Sequence, residues 1–333
     1  MNLRQLGSAG PEVSEVGLGC MGMSGAYGRA DRAASLATIG AAVAAGVNLL
    51  DTGDFYGMGH NEVLIAEATR AIARSHYLLS VKFGGQRGPD GAFLGFDARP
   101  AAVKTALAYS LTRLGVEYID IYRPARLDPS VPIEETVGAI GEMVQAGYVR
   151  YIGLSEVAAE TIRRASATHP ICDLQIEYSL VSRGIEREIL STCRELGVAI
   201  TAYGILSRGL LSGHFPADRT LEPGDFRAHA PRFAEANRQR NLALVEQLRA
   251  IAEARGATVA QLAIAWVLSR GEDIVPLIGA RSPERLHEAL GALELELGVE
   301  DTAAIERAVP ADAVAGDRYP NQQMAILDSE RSS

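Results

Sequence analysis

The sequence predicts a parallel (β/α)8 barrel, a TIM barrel with an N-terminal β-hairpin and extra C-terminal helices. Eight apolar runs of strand length alternate with segments long enough for helices. Glycines recur after helices and before strands, at Gly46, Gly115, Gly147 and Gly197, the stop that a helix favours before the chain turns into a strand. Polar residues gather where the apolar runs end, and in a parallel barrel that end is the face that carries function. Doubly wound sheets also alternate, but eight strand–helix units without a dividing linker favour the barrel. The whole chain, 1–333, reads as one domain, with its core at about residues 15–308 and a polar C-terminal tail.

Residues 3–14 read as the hairpin: Leu3–Leu6, a Gly-Ser-Ala-Gly turn, then Val13. The first barrel strand is Glu15–Cys20, running into glycine-rich Gly22–Gly28, and helix Arg32–Ala45 follows with Asp31 as its cap. Strand Val47–Leu50 leads to helix Glu62–Arg74, and strand Tyr77–Val81 to helix Pro100–Leu114. Strand Tyr118–Tyr122 leads to helix Ile133–Ala146, with Pro132 suited to its first turn. The second half continues with strand Val149–Leu154, helix Ala158–Thr168, strand Leu174–Glu177, helix Ile185–Leu196 and strand Val198–Tyr203. A long excursion, Gly204–Asn237, precedes helices Leu242–Arg255 and Val259–Ser269. The last strand is Ile274–Ile278, followed by helices Pro283–Leu290 and Asp301–Ala308. Within the excursion, Phe215–Asn237 reads as a flap over the ligand site.

A formal charge of −9 and a pI near 5.3 argue against nucleic acid as a partner, which would need a concentrated basic face. Arg227, Arg232, Arg238 and Arg240 do cluster, but Asp225 and Glu235 lie among them, and the stretch reads as a solvated loop and helix start. No run approaches the ~18 apolar residues of a membrane span, and the N-terminus lacks a signal-peptide core. Three widely spaced cysteines fit reduced, buried thiols, and a cytoplasmic location is expected. The six histidines show no metal-ligand spacing. Gly17–Gly22 fits G-x-G-x-x-G by letter. However, it opens onto more glycines rather than a helix, and Asp51 comes about ten positions too late for a Rossmann acid.

The stretch Val47–Gly57 carries the chemistry. Its apolar run stops at Asp51, and Tyr56 follows in a loop with Gly53, Gly57 and Gly59; the next run ends in Lys82. The chain has only two lysines, Lys82 and Lys104, so a lysine closing a strand is not surface filler. An acid, a phenol and an ammonium thus sit where two neighbouring strands end.

These residues resemble the aldo-keto reductase family, in a long-loop branch similar to the potassium-channel β subunits. The resemblance rests on Asp51-Thr-Gly-Asp-Phe-Tyr56-Gly, Ser80-Val-Lys82-Phe-Gly, Ser110–Asp120 and Gly153-Leu-Ser155. Ala202–Gly213 and Pro276-Leu-Ile-Gly279 with Arg281 and Arg285 extend it, in order, from about residue 3 to about 308. It implies a NADPH/NADP+-dependent oxidoreductase acting on a small-molecule carbonyl, as a monomer or homo-oligomer. A carbonyl that accepts hydride becomes an alkoxide and needs a proton, and a tyrosine donates poorly at neutral pH unless its phenolate form is stabilised. Tyr56 is therefore assigned as general acid, Lys82 as the group lowering its pKa, and Asp51 as the partner of Lys82.

The resemblance also implies the cofactor site. Tyr203 would stack on the nicotinamide, and Ser155 and Gln175 would bind its carboxamide, with Glu156 in place of the usual asparagine. Leu206, Ser207, Arg208 and Leu210 would cover the pyrophosphate. Gly279, Arg281 and Arg285 lead into a helix N-terminus suited to the 2′-phosphate, and Glu288 would reach the adenine, with Ala289 replacing an asparagine. Met23, Tyr27 and Phe55 would wall the substrate pocket together with Ala125.

Ala125 is the departure. The family pattern Tyr-x-x-His-Arg-x-Asp reads here Tyr122-Arg-Pro-Ala125-Arg126-Leu-Asp128, so a methyl group stands where a histidine donates to the substrate carbonyl. Loss of one such donor typically costs about 10²–10³ in turnover. Three readings stay open: Tyr56 works alone on activated carbonyls, with room above Ala125 for a bulky substrate; Arg123 or a water replaces the histidine; or the protein is a nicotinamide-binding module with little turnover. The Ala-Arg-x-Asp pattern makes pyridoxal a candidate substrate. A lyase or isomerase using Lys82 as an imine-forming amine is a further rival.

Overall fold

A computed structural model of the chain describes residues 1–222 and 224–331. The N-terminal hairpin, β1 (Leu3–Gln5) and β2 (Glu12–Ser14), pairs antiparallel and closes the bottom of the barrel. Leu6 and Val13 pack there against Leu49, Ile121, Cys172 and Val275, and Arg4 ties the hairpin to the barrel by donating to the carbonyls of Gly271 and Ile274 at 3.0 and 2.7 Å.

The barrel strands are β3 (Gly17–Gly19), β4 (Leu49–Gly53) and β5 (Leu78–Phe83), then, after a second hairpin of β6 (Gly85–Arg87) and β7 (Phe93–Phe96), β8 (Ile119–Pro124) and β9 (Val149–Ser155). The remaining three are β10 (Ile171–Glu177), β11 (Ala199–Tyr203) and β12 (Ile274–Ile278). All eight are parallel and close in the order β10-β11-β12-β3-β4-β5-β8-β9. They are buried on both faces, which is why they read as continuous apolar runs rather than as alternating ones.

The helices are α1 (Arg32–Ala44), α2 (His60–Thr69), α3 (Pro100–Leu114), α4 (Ile133–Gln145), α5 (Ala159–Thr168) and α6 (Ile189–Leu196). After the long excursion come α7 (Glu235–Ala254), α8 (Val259–Leu268), α9 (Pro283–Leu290) and α10 (Val299–Ala308). Asp31 caps α1 by accepting from Ala34 N, and Gly115 and Gly197 end α3 and α6 at φ 66° and 67°, where a side chain would be strained. Trp266, on α8, is fully buried against the strands. Among the described residues no single helix is long and apolar enough to cross a membrane.

The sequence reading missed the β6–β7 hairpin, whose strands are short and mostly exposed and so carry no periodicity. Helix α7 begins at Glu235 rather than Leu242 because its first turns are polar. The region read as a flap includes Pro223, which lies outside the described residues. On either side of it Phe215, Ala230 and Phe233 form a small apolar core with Leu210. Residues 310–331, read as a polar tail, turn back over the barrel. Asp328 accepts from Ala158 N and Thr161 Oγ1 at the start of α5, at 2.9 and 2.7 Å.

Candidate active site

The C-terminal rim of the barrel holds two sets of buried polar side chains. The first is built by β4 and β5. Side chains alternate along a strand, so Ser80 and Lys82 face the same side, and the register that sets Asp51 opposite Ser80 and Gly53 opposite Lys82 places the carboxylate between them. Lys82 Nζ donates to Asp51 Oδ1 at 2.5 Å. Ser80 Oγ and, from β10, Gln175 Nε2 donate to Asp51 Oδ2 at 2.9 and 2.7 Å. Both members of the pair are almost fully buried, with side chains 4% and 6% exposed.

The loop after β4 carries Tyr56 over this pair. It turns through Gly57 and Gly59 at φ 57° and 92°, where a side chain would be strained, and a Cβ at Gly59 would also have to displace the Arg113 side chain, whose Cδ would lie 2.7 Å away. Asn61 pins the turn: it accepts from Thr52 Oγ1 at 2.7 Å and donates to Cys20 O and Ser24 Oγ at 2.9 and 2.7 Å. Phe55 packs edge-on against the Tyr56 ring, and Lys82 Nζ lies 5.1 Å from the centroid of that ring.

Burial, then Asp51 and Tyr27, hold the Tyr56 phenol well above its ordinary pKa, and among the charges that move it most Arg126 is the one acting downward. The sequence analysis assigns that role to Lys82 as well; its ammonium donates to Asp51, and burial lowers its own pKa against the opposing pull of that carboxylate. Asp54, in the same loop, was not anticipated. Burial raises its carboxyl to about 7; Oδ2 accepts from Gly84 N at 3.3 Å while Oδ1 is buried without a partner.

The second set lies at the ends of β9, β10 and β11. Glu156 follows Ser155 and is fully buried, with φ 54°. Arg318, from the C-terminal segment, grips it with two bonds of 2.8 and 2.6 Å, while Ser329 Oγ and Tyr203 OH donate to it at 2.6 Å each. Burial works against its charge, but Arg318 outweighs that and holds the carboxyl far below the usual range. Glu177 closes β10 and is paired with Arg208 and Arg232, each at 3.2 Å. Tyr319 enters the same space: its hydroxyl lies 2.8 Å from Tyr203 OH, and its ring lies under the Arg208 guanidinium at 4.6 Å. Arg227 and Arg232 are therefore not solvated, as the charge run suggested, but buried structural cations; Arg227 pairs with Asp225 at 2.6 Å. Neither Arg318 nor Tyr319 carried a sequence signal beyond their place between Gly316 and Pro320.

Ala125 is buried at the end of β8, its N–H donating to Phe83 O at 2.8 Å. Arg123, one of the replacements considered for the missing histidine, turns into the barrel. It donates to Asp173 Oδ2 at 2.7 Å, Thr201 Oγ1 at 3.2 Å and Ser80 Oγ at 3.0 Å, with no exposed surface, so it is structural. Arg126 stays at the rim: Nη1 donates to Ala125 O at 2.6 Å and reaches Ser155 Oγ at 3.5 Å, and Nη2 reaches Tyr319 OH at 3.4 Å.

The expected cofactor residues divide. Ser155, Tyr203, Leu206 and Arg208 border one rim; Ser207 and Arg208 take φ 44° and 57°, and Arg208 Nη1 is buried with no partner, an orphaned donor that fits an anionic oxygen. Gln175 instead spends its amide on Asp51. Leu210 faces the small core of the excursion. At the mouth, a Cβ at Gly279 would meet open space, Arg281 donates to Tyr27 O at 3.1 Å, and burial together with Arg227 and Arg219 lowers the Arg281 pKa. Arg285 and Glu288 pair with each other at 2.7 Å, and Glu288 also meets His214 at 2.8 Å. Of the pocket residues, Phe55 and Tyr27 lie at the rim, whereas Met23 packs in the main core.

A closed parallel barrel with a buried Asp–Lys pair under a rim tyrosine has the architecture of a barrel oxidoreductase. The comparisons specify the family. The model of the Aldo/keto reductase family matches residues 15–310. A soybean (Glycine max) protein named "Probable aldo-keto reductase 1" is 42% identical over 320 residues, 95% of this chain and 91% of that protein. Among solved structures, the glycerol dehydrogenase AKR11B4 from Gluconobacter oxydans aligns with a TM-score of 0.84 at 29% identity, over 93% of this chain and 96% of that one. The aldo-keto reductase AKR11C1 from Bacillus halodurans, in its holo form, aligns at 0.76 and 27%, over 99% and 100%. The chain belongs to the aldo/keto reductase family, whose members are oxidoreductases acting on small-molecule carbonyls.

Proposed function

We propose that the protein is an NADPH-dependent reductase of aldehydes or activated ketones in which Tyr56 donates the proton. The observation that carries this reading is the Asp51–Lys82 pair, buried beneath the Tyr56 ring at the catalytic end of the barrel. When bound, the nicotinamide supplies the hydride. Tyr56 then gives its proton to the oxygen of the reduced carbonyl. Lys82 stands beside the ring as a fixed cation, and it eases loss of that proton by stabilising the phenolate. Asp51, held by Ser80 and Gln175 as well as by Lys82, fixes where the ammonium sits.

The residues present fit the cofactor. Arg208 has an unpartnered buried donor suited to a pyrophosphate oxygen, and Arg281 stands in a cationic surround suited to a 2′-phosphate. Tyr203 borders the place for the nicotinamide and Ser155 its carboxamide. Alcohol oxidation with NADP+ is the same chemistry reversed, and the Gluconobacter relative is named for that direction.

The test is NADPH consumption over a panel of aromatic aldehydes, aliphatic aldehydes and pyridoxal, with Tyr56→Phe as control. Turnover that disappears in the variant while NADPH binding persists is the expected result. NADPH binding without turnover of any carbonyl would replace this reading with that of a nicotinamide-binding module.

A further inference from the structure

The rim lacks the donor that the methyl of Ala125 cannot supply, and Arg123 is committed below it to Asp173. Arg126 is placed differently. It is a half-buried cation with a single bond of ordinary length, 2.6 Å to Ala125 O; its contacts to Ser155 Oγ and Tyr319 OH, at 3.5 and 3.4 Å, are long for N–H···O bonds. The nearby carboxylate, Glu156, is already gripped twice by Arg318. Among the described residues no carboxylate stands within ion-pair distance of Arg126, so its donors are under-used. Burial works against its charge, but Tyr203, Tyr319 and Glu156 outweigh that effect and keep it protonated. Its contacts to Ser155 Oγ and Tyr319 OH set it at the border of the nicotinamide site, and its charge acts on Tyr56 and Lys82.

We propose that Arg126 is a catalytic residue that replaces the missing histidine, donating a guanidinium N–H to the substrate carbonyl oxygen. This rests on the reductase reading above. As hydride arrives at the carbonyl carbon from NADPH, the π pair of the C=O bond moves onto oxygen, and NADPH becomes NADP+. Arg126 holds that negative charge without giving up a proton, and the proton comes from Tyr56. A guanidinium does this at any working pH, because it does not titrate. Its charge also acts on the phenol and favours the ionised form.

The experiment compares wild type, Arg126→Gln, Arg126→Lys and Tyr56→Phe on the aldehyde panel, with NADPH affinity measured separately by fluorescence titration. Arg126→Gln is expected to lose about 10²–10³ in kcat with NADPH affinity held within about three-fold. Added guanidinium ion should restore part of that loss, and Arg126→Lys, which keeps the cation, should fall between the two. The alkaline limb of the kcat profile should move to higher pH in Arg126→Gln, a change that a merely structural role would not produce. If Arg126→Gln keeps kcat within about three-fold of a wild type that depends on Tyr56, this proposal falls and the reductase reading stands. If the loss is answered neither by guanidinium nor by lysine, the proposal also falls. If wild type binds NADPH and turns over no carbonyl, both readings fall together.

Discussion

The two sides of the rim are assembled on opposite plans. On β4 and β5 the acid and the ammonium lie 31 residues apart, on neighbouring strands whose register places them face to face. On β9 and β10, Glu156 and Glu177 are neutralised by cations from loops and from the C-terminal segment, with Arg318 lying 162 residues beyond Glu156. The first side is a product of strand geometry. The second exists only once the long excursion and the last residues have folded over the barrel. Charge that the barrel itself arranges should therefore govern chemistry, whereas charge brought in by the segments should govern stability and ligand entry.

Lys82→Met tests the first half of that contrast most severely. It removes the ammonium beneath Tyr56 and leaves Asp51 with Ser80 and Gln175 as donors. Turnover should fall about 10³-fold, roughly 4 kcal/mol in the barrier, while NADPH affinity changes little. A variant that keeps most of its kcat would show that Tyr56 does not depend on this pair.

Arg318→Met tests the second half. Glu156 would remain buried without its cation, and breaking a buried pair from one side typically costs about 3–5 kcal/mol. Thermal unfolding should show the loss directly. Arg318→Met combined with Glu156→Leu should recover part of it, because the uncompensated charge is then gone. If the single variant melts like wild type, the C-terminal segment is an accessory rather than a part of the rim.

The same contrast explains what could be read in advance. The eight strands were legible because each is an apolar run ended by a glycine or a polar residue, and the Asp51–Lys82–Tyr56 set because it closes two such runs. Gln175 was placed on the right strand, but its side chain chose Asp51, a choice set by barrel closure rather than by any local pattern. Arg227 and Arg232 looked like a solvated charge run: Asp225 was visible beside Arg227, but nothing nearby in sequence announces that both arginines are buried or that Glu177, 55 residues away, receives Arg232. Glu156 stood out as a departure from the family's asparagine. Its partner could not be read, because Arg318 lies in what looked like a polar tail.

Asp54 crosses the boundary between the two plans. It sits on the legible side, yet one of its oxygens is buried without a partner and its carboxyl is raised to about 7. A carboxyl raised on folding contributes stability that is complete at low pH, below the unfolded carboxylate pKa, and that is lost as pH climbs through 7. Asp54→Asn keeps the acceptor toward Gly84 N and removes the ionisation. The variant should match wild type near pH 4 and exceed it above pH 7 by about 2 kcal/mol, a figure halved from full linkage for the exposed part of the group. Melting curves taken across pH 4–8 decide the point; parallel curves for the two proteins would mean that Asp54 does not titrate in this range.

Arg281 and Arg285 give the finest version of the comparison, because they lie four positions apart and face different company. Arg285 already shares its charge with Glu288, and at that exposed site its loss should matter little. Among the described residues Arg281 is held by the Tyr27 carbonyl alone, and burial with Arg227 and Arg219, against the weaker pull of Asp225, makes its own charge the less comfortable. An arriving 2′-phosphate would relieve that crowding, and NADH has none to offer. Arg281→Ala should therefore weaken NADPH about tenfold, roughly 1.4 kcal/mol, and leave NADH nearly unchanged, whereas Arg285→Ala should shift either by less than about three-fold. Fluorescence titration of both cofactors against both variants measures the four affinities. Equal losses for NADPH and NADH in Arg281→Ala would move the phosphate contact away from the mouth and toward Arg208, which has a buried nitrogen without a partner.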